Sequence, residues 1–311
     1  MFRLSKQTRR KIRYGIVYRF VRLLIAVSRI TPRVTWLKLC GLMGLIAYPF
    51  ASQTRTLIQK HLAMAYKSEK SPAEIKTLSK KVFRYLAMNT GEMLRATRIE
   101  NWEQLAEFLE VTGYENFTNA NAKGKGVIFL TCHLGAFDLQ VSTMALKGLN
   151  PNIIGTPLKD ERLNELLWNY RNKYGAVAIE RGKETFRLIK VLKSGGSVAL
   201  LIDQDTRVKS TFVDFFGIPA STPVGVTVLA LKTGASVVPT YIYLGKDWKQ
   251  HMIIMPAVQL TVTGNEDVDV NQNTQMLTTL TEEIIRQHPE QWVWMHERWK
   301  TRPGDVEDVT S

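Results

Sequence analysis

Acidic residues are missing from the first 68 positions of this 311-residue chain, and the first acid is Glu69. The same stretch carries 14 lysines and arginines, which leaves 42 − 14 = 28 basic residues against 28 acidic ones in the remainder. The net charge of +14 is therefore an N-terminal property. Nucleic acid and an anionic membrane face are the two partners such a segment suits. Cysteine is scarce as well: Cys40 and Cys132 make neither a disulfide framework nor a metal knuckle, which fits a reducing compartment. No zinc motif, Walker loop, Gly-x-Ser-x-Gly elbow or dinucleotide fingerprint occurs, and there are no internal repeats or low-complexity linkers. Apolar residues make up 45% of the chain, which excludes wholesale disorder. The length suffices for one large α/β domain or two small ones.

Long apolar runs are lacking too. In Tyr14 to Ile30, wound as a helix, Arg19, Arg22 and Arg29 share a narrow stripe, and Ile16, Val17, Phe20, Leu23, Leu24 and Val27 fill the opposite side. That face is too apolar for a DNA-binding arm and suits a membrane surface. Pro32 breaks the pattern, and twelve uncharged residues, Leu39 to Phe50, follow. Neither stretch reaches the roughly 18 apolar residues of a spanning helix. A monotopic anchor is expected, with a single span or a helix buried in the core as alternatives. A signal peptide is not expected, because arginines interrupt the first run and no small-residue cleavage site follows.

Ser71-Pro72-Ala73-Glu74 reads as a capping box with Pro at the first helical position. Val82, Phe83, Leu86 and Ala87 give that helix a core face, and Gly91 is expected to break or kink it before Glu92 to Ile99. From Gly126 onward strands and helices alternate. Strands are expected at 127–131, 152–155, 176–179, 197–202, 236–244 and 252–258, with helices near 137–147, 160–174, 184–193 and 223–232. The fold class is thus α/β: a mainly parallel central sheet flanked by helices, with an N-terminal amphipathic membrane-associated helical segment. The expected organisation is an anchoring segment over 1–50, an α/β domain over 51–303 and a flexible tail over 304–311.

The stretch around His133 organises the rest. Val127 to Thr131 reads as a strand buried on both faces, and His133 and Asp138 follow it immediately. On a continuous helix they would stand about 140° apart. At a strand-to-helix turn they can converge, with Gly135 permitting the turn and close approach of a substrate. Sites of open parallel sheets lie beyond the carboxyl ends of the strands. The other four histidines have no acid at the same offset. A structural histidine remains the alternative reading of the spacing. Two more polar clusters follow strands: Glu180-Arg181-Gly182, and Asp203-Gln204-Asp205-Thr206-Arg207. Each is either a solvated turn or part of one pocket.

His133-Leu-Gly-Ala-Phe-Asp138, Glu180-Arg181-Gly182, Leu201-Ile-Asp-Gln-Asp205, Phe215 to Gly225 and Trp294-Met-His-Glu-Arg-Trp-Lys-Thr-Arg-Pro303 together resemble the bacterial lipid A biosynthesis acyltransferases. These are the lauroyl/myristoyl branch of the lysophospholipid acyltransferase superfamily, and the resemblance covers roughly Pro49 to Pro303. It departs from the family pattern at Asp138, where many members carry Glu, and in a less clear N-terminal span.

The resemblance implies an O-acyltransferase that moves a fatty acyl chain from a thioester to a lipid hydroxyl. His133 would be the general base, and Asp138 would accept a hydrogen bond from its other ring nitrogen. Backbone amides after His133, or Arg181, would meet the oxyanion. Arg181 would more naturally grip an acceptor phosphate, and Gly182, Asp203, Gln204, Asp205 and Arg207 would complete the substrate site. Asp203 and Asp205 either bind sugar hydroxyls or hold Arg181 and Arg207. No metal or cofactor is expected. Acyl carrier protein or coenzyme A is the expected donor, and the expected place is the cytoplasmic face of a bacterial inner membrane. A Cys132–His133 acyl-enzyme is a rival, although neighbours on a strand point to opposite faces and favour packing for Cys132. His296 is read as structural or groove-lining. Met276, Leu277, Leu280, Ile284 and Ile285 belong to a helix of the core or of an acyl groove. A lysophospholipid or another glycolipid is the runner-up acceptor, and a non-catalytic headgroup-binding protein is the alternative of another class.

Overall fold

The computed structural model describes residues 5–180 and 185–305. Four long helices come first: α1 (Lys6–Ile30), α2 (Arg33–Phe50), α3 (Ser52–Tyr66) and α4 (Pro72–Ala96). Then follow α5 (Trp102–Ala106), β1 (Leu109–Thr112), α6 (Tyr114–Asn121), β2 (Val127–Thr131), α7 (Asp138–Leu146), β3 (Asn152–Gly155), α8 (Glu161–Asn172), β4 (Val177–Glu180), α9 (Thr185–Lys193) and β5 (Ser197–Leu201). The chain closes with a hairpin of β6 (Ser210–Phe215) and β7 (Ile218–Pro223), then α10 (Gly225–Thr233), β8 (Ser236–Leu244), β9 (Gln250–Ile254) and α11 (Glu266–Gln287).

Seven strands form one sheet in the order β1-β9-β8-β2-β5-β3-β4. Every neighbouring pair is parallel except β8 and β9. The largely apolar run of β2 lies in the middle, and every one of its residues is buried, as a strand covered by helices on both faces requires. Helices α6, α7 and α8 close one apolar layer, and α9, α10 and α11 help close the other.

The expected mainly parallel sheet is present, with β2, β3 and β8 at the expected bounds. Besides the short helices α5 and α6, two strand features are additional. Strand β1 is only four residues at the sheet edge, and its Leu-Glu-Val-Thr is too short to stand out by alternation. The β6–β7 hairpin turns at Phe216-Gly217, with φ of 55° and 64°. That backbone normally calls for Asn-Gly, so the turn carries none of the usual signal. Pro223 ends β7, and α10 begins only at Gly225.

The capping box forms as the sequence implies: Ser71 accepts from the Glu74 amide, and Glu74 accepts from the Ser71 amide. The expected break at Gly91 does not occur; α4 runs on to Ala96. Gly91 serves packing instead. A Cβ there would lie 2.5 Å from Cys40 Sγ, and the Gly91 carbonyl accepts from Trp36 Nε1 at 2.9 Å. Helix α2 is consequently seated on α4 with Trp36, Leu37 and Cys40 buried, so residues before 51 form no detached appendage. Arg33 and Glu92 pair beneath this seam, and Arg95 donates to the carbonyls of Ser28 and Thr31 at the end of α1.

The outer faces of α1 and α2 are apolar and exposed, with Ile16, Phe20, Leu23 and Ile30 on α1 and Leu42, Ile46 and Phe50 on α2. No single described helix is long and apolar enough to cross a membrane. Helix α2 and the stretch Ser52–Glu69 would qualify only together, and they are bent by 96°. The C-terminal helix α11 buries Leu277, Ile284 and Ile285, with Met276 and Leu280 packed against the core, which settles its reading as a core helix. The tail beyond Asp305 lies outside the described residues.

Candidate active site

Strands β2 and β5 are parallel neighbours with Thr131 opposite Leu201. Two residues further on each chain, beyond the carboxyl ends, this register brings His133 opposite Asp203. Their side chains meet: His133 Nδ1 and Asp203 Oδ1 are 2.8 Å apart. The other oxygen, Oδ2, accepts from the His133 amide at 2.7 Å and from Trp292 Nε1 at 2.8 Å. Asp203 is 2% exposed. Burial alone would raise its pKa, but His133 opposite and these three hydrogen bonds outweigh it and hold the carboxyl below its ordinary value. An ionised carboxylate only accepts, so the Nδ1 nitrogen carries the hydrogen and Nε2 keeps its lone pair in the neutral ring.

This corrects the expected pairing. Asp138 does not hold His133. It opens α7, is buried, and takes Arg171 of α8, with Nε and Nη2 each 2.8 Å from Oδ1. The five-residue spacing brings both residues to one site, but the sheet register gives the histidine to a different carboxylate. Gly135 is corrected in the same way. Its φ is +63°, and a Cβ would stand 2.2 Å from the Ile242 carbonyl, so the close approach is that of the β8 backbone and not of a substrate.

His133, Asp138, Arg171, Gln140, Thr131 and Gln204 share the wall of a cavity of about 700 Å³. Its remaining lining is largely apolar and includes Met144 of α7, Ile153 of β3, Leu167 of α8, Ala199 and Leu201 of β5, Leu188 of α9, and Val226 and Leu229 of α10. Phe137 sets the edge of its ring against His133, with centroids 4.9 Å apart. Among the described residues the amides of Ala136, Phe137 and Asp138 donate to no backbone or side-chain acceptor.

The remaining sequence candidates separate. Asp205 accepts from the Thr301 amide at 2.7 Å and ties down the C-terminal segment. Arg207 is exposed and has no partner among the described residues, so neither aspartate holds it. Arg181 and Gly182 lie outside the described residues. Cys132 is buried on the far side of the strand. Burial first, and the Asp203 carboxylate second, push its thiol well above the ordinary value, which opposes a thiolate nucleophile. His296 does not line the cavity; its Nε2 is buried without a partner among the described residues. Burial, more than any charge nearby, lowers its pKa.

Three participants were not singled out from sequence. Trp292 clamps Asp203. Arg171 holds Asp138, and the missing side chain of Gly155 makes room for its guanidinium. Arg298 is wholly buried and donates to Ser221 and Thr222 of β7, which fastens the segment after Trp292 to the β6–β7 hairpin. Burial brings its guanidinium down to about 10, against the pull of Asp203 and Asp205. A buried cation is the signal that could have drawn attention to Arg298, but burial is not readable from Glu-Arg-Trp.

A family model described as bacterial lipid A biosynthesis acyltransferase matches residues 4–301. A lipid A biosynthesis lauroyltransferase of Escherichia coli (strain K12) is 26% identical over 301 residues, 94% of this chain and 94% of the relative. A lipid A biosynthesis palmitoleoyltransferase of the same organism is 25% identical, covering 84% of this chain and 83% of the relative. A phosphatidylinositol mannoside acyltransferase of Mycobacterium tuberculosis (strain CDC 1551 / Oshkosh) is 28% identical over 64% of this chain and 63% of the relative.

Proposed function

The chain belongs to the bacterial lipid A biosynthesis acyltransferases, and on that premise we propose that it transfers a fatty acyl chain from a thioester to a hydroxyl of a lipid A precursor or related glycolipid. The observation that carries the mechanism is the His133–Asp203 clamp, which leaves one ring nitrogen for an open, largely apolar cavity. His133 Nε2 takes the acceptor's hydroxyl proton as the oxygen attacks the thioester carbonyl. Asp203 holds the ring and stabilises the imidazolium that forms. The tetrahedral oxyanion draws on the amides at the start of α7, which have no other acceptor among the described residues. Collapse breaks the carbon–sulfur bond. The thiolate leaves with the proton that His133 returns, giving an ester and a free thiol.

The apolar part of the cavity takes the acyl chain, and Asp138, Arg171, Gln140 and Gln204 orient the polar ends of the substrates. The outward apolar faces of α1 and α2 rest in the membrane interface beside basic side chains, which brings the cavity to a lipid acceptor on the cytoplasmic face. The donor is acyl carrier protein or coenzyme A. The mannoside acyltransferase among the relatives supports a second acceptor class, a glycosylated phospholipid.

The test is acyl transfer by detergent-solubilised protein, with both donors, against lipid A precursor, phosphatidylinositol mannoside and lysophospholipid. Transfer to one acceptor that falls by about 10²–10⁴ in His133→Ala agrees with a general base. Transfer undiminished in that variant removes His133 from the mechanism, and binding of lipids without transfer to any of them removes the activity.

A further inference from the structure

A second cavity, of about 360 Å³, lies between α1 and α8, away from His133. On α1 its wall is Arg22, Ile25, Ala26 and Arg29; on α8 and its C-cap it is Leu166, Asn169, Tyr170 and Lys173, with Thr97 from the end of α4 between them. Both sets follow i, i+3, i+4, i+7, the stripe by which one helix ordinarily packs on another. Here the stripes face each other across open space, and no carboxylate among the described residues lines it.

The charge is concentrated at the two ends of the α1 stripe. Arg22 and Arg29 are exposed, and neither guanidinium has an acceptor among the described residues. Lys173 is engaged, donating to Thr97 and Ile99 carbonyls and pairing with the exposed Glu100. Arg98, donating to the Arg29 carbonyl, adds a fourth cation beside the rim, so Glu100 is outnumbered. On the helical wheel the outward apolar stripe of α1 (Ile16, Phe20, Leu23, Ile30) is centred about 125° from the cavity stripe. The cavity therefore lies on the flank of α1, turned away from the centre of the apolar face, and the long side chains of Arg22 and Arg29 border it.

We propose that this notch seats the phosphate of an anionic lipid headgroup, between the Arg22 and Arg29 guanidinium groups and above Asn169. The proposal rests on the reading of α1 as membrane-facing. Helix α8 then separates two lipid sites: Leu167 and Arg171 face the His133 cavity, and Asn169 and Lys173 face the notch. A headgroup held there anchors the wall that carries Arg171.

The experiment is partition of the full chain onto vesicles of phosphatidylcholine alone, or with a minor fraction of phosphatidate. Three variants are compared: Arg22→Gln with Arg29→Gln; Ala26→Trp, which fills the notch and keeps every charge; and Arg9→Gln with Arg10→Gln, which removes two charges of α1 elsewhere. The first two are expected to lose about tenfold or more of the phosphatidate-dependent partition, at roughly 1 kcal/mol per basic side chain, with phosphatidylcholine binding kept. The third should lose much less. Inorganic phosphate that competes with the phosphatidate increment shows that the bare group suffices; failure to compete, with the increment still lost in Ala26→Trp, shows that the lipid context is needed. Ala26→Trp binding like the unaltered chain, or both charge pairs behaving alike, overturns the notch in favour of diffuse attraction. Retained phosphatidate binding with transfer lost only from acyl carrier protein assigns the arginines to a protein partner and also overturns it. Absence of binding to every vesicle defeats the membrane reading itself, whereas phosphatidylcholine binding with no phosphatidate increment defeats only the notch.

Discussion

The start of α7 and the end of β5 each bring a buried aspartate to the candidate site, Asp138 on the cavity wall and Asp203 behind His133, with different partners. Asp138 lies five residues from His133 yet pairs with Arg171, while Asp203, 70 positions away, holds both the ring and the amide of His133. The difference lies in how each carboxylate reaches the site. Asp203 leaves β5 in register with the strand that delivers His133, so the sheet places the pair. Asp138 begins a helix that turns its side chain toward α8. Spacing along a chain thus identifies residues that share a site, and hydrogen-bonded register decides which of them touch.

The largest effect that would sharpen this contrast is on Asp203. Asp203→Asn keeps the shape but can no longer stabilise a charged His133, and we expect transfer to fall by about 10²–10⁴ with little change in KM. The carboxyl is held below its ordinary value, so the stability it contributes is present above about pH 4 and lost as pH falls through its folded-state value. The Tm gap between the unaltered chain and Asp203→Asn should accordingly be widest near neutral pH and narrow below pH ~4. A gap that widens with acid contradicts this assignment.

Next comes Asp138. Asp138→Asn strips the partly buried Arg171 guanidinium of its partner and should cost on the order of 2 kcal/mol of stability, with Asp138→Leu plus Arg171→Met recovering most of it. In activity, the Asp138 and Arg171 substitutions should couple by about 2 kcal/mol, while Asp138→Asn and Asp203→Asn, which share no partner, should add. Strong coupling between the two aspartates would mean that they act as one unit and would dissolve the comparison.

Smaller again is Ala199→Leu, on the cavity wall at β5. Three added carbons in the space proposed for the acyl chain should move preference toward chains about two carbons shorter, near tenfold in the ratio of kcat/KM values at about 0.8 kcal/mol per CH₂. An unchanged chain-length profile would place the acyl chain elsewhere. The smallest is Cys132→Ala. Because its thiol is buried and kept protonated, transfer should stay within about twofold. Abolished transfer in a folded Cys132→Ala would instead support an acyl-enzyme.

Legibility followed locality. Val127 to Thr131 could be recognised because four apolar β-formers followed by a threonine have few other uses, and the Ser71–Glu74 capping box because its two bonds span three residues. The turn at Phe216-Gly217 escaped notice because a positive φ at phenylalanine has no compositional sign. At the site, Asp203 stands out in the sequence as a polar residue after a strand, but that position alone suggests a sugar hydroxyl or Arg181 and Arg207 as its partner. Its true partner required knowing that β2 and β5 are neighbours, and they are separated in sequence by β3 and β4. Arg171 was hidden because it occupies the last turn of an amphipathic helix, where a basic residue usually serves only the helix dipole.

What the sequence by itself determined is the α/β alternation, the place of the candidate site at the carboxyl end of β2, the basic and acid-free N-terminal segment, and the family. Each of these is written in local pattern: period, spacing and composition. Only the tertiary structure decided that Asp203 rather than Asp138 orients His133, that Trp292 and Arg298 close over that pair, and that Arg22 and Arg29 border an open notch against α8. Each of those depends on which distant elements become neighbours. Packing and hydrogen-bond register settle that collectively, and no single stretch of chain encodes it.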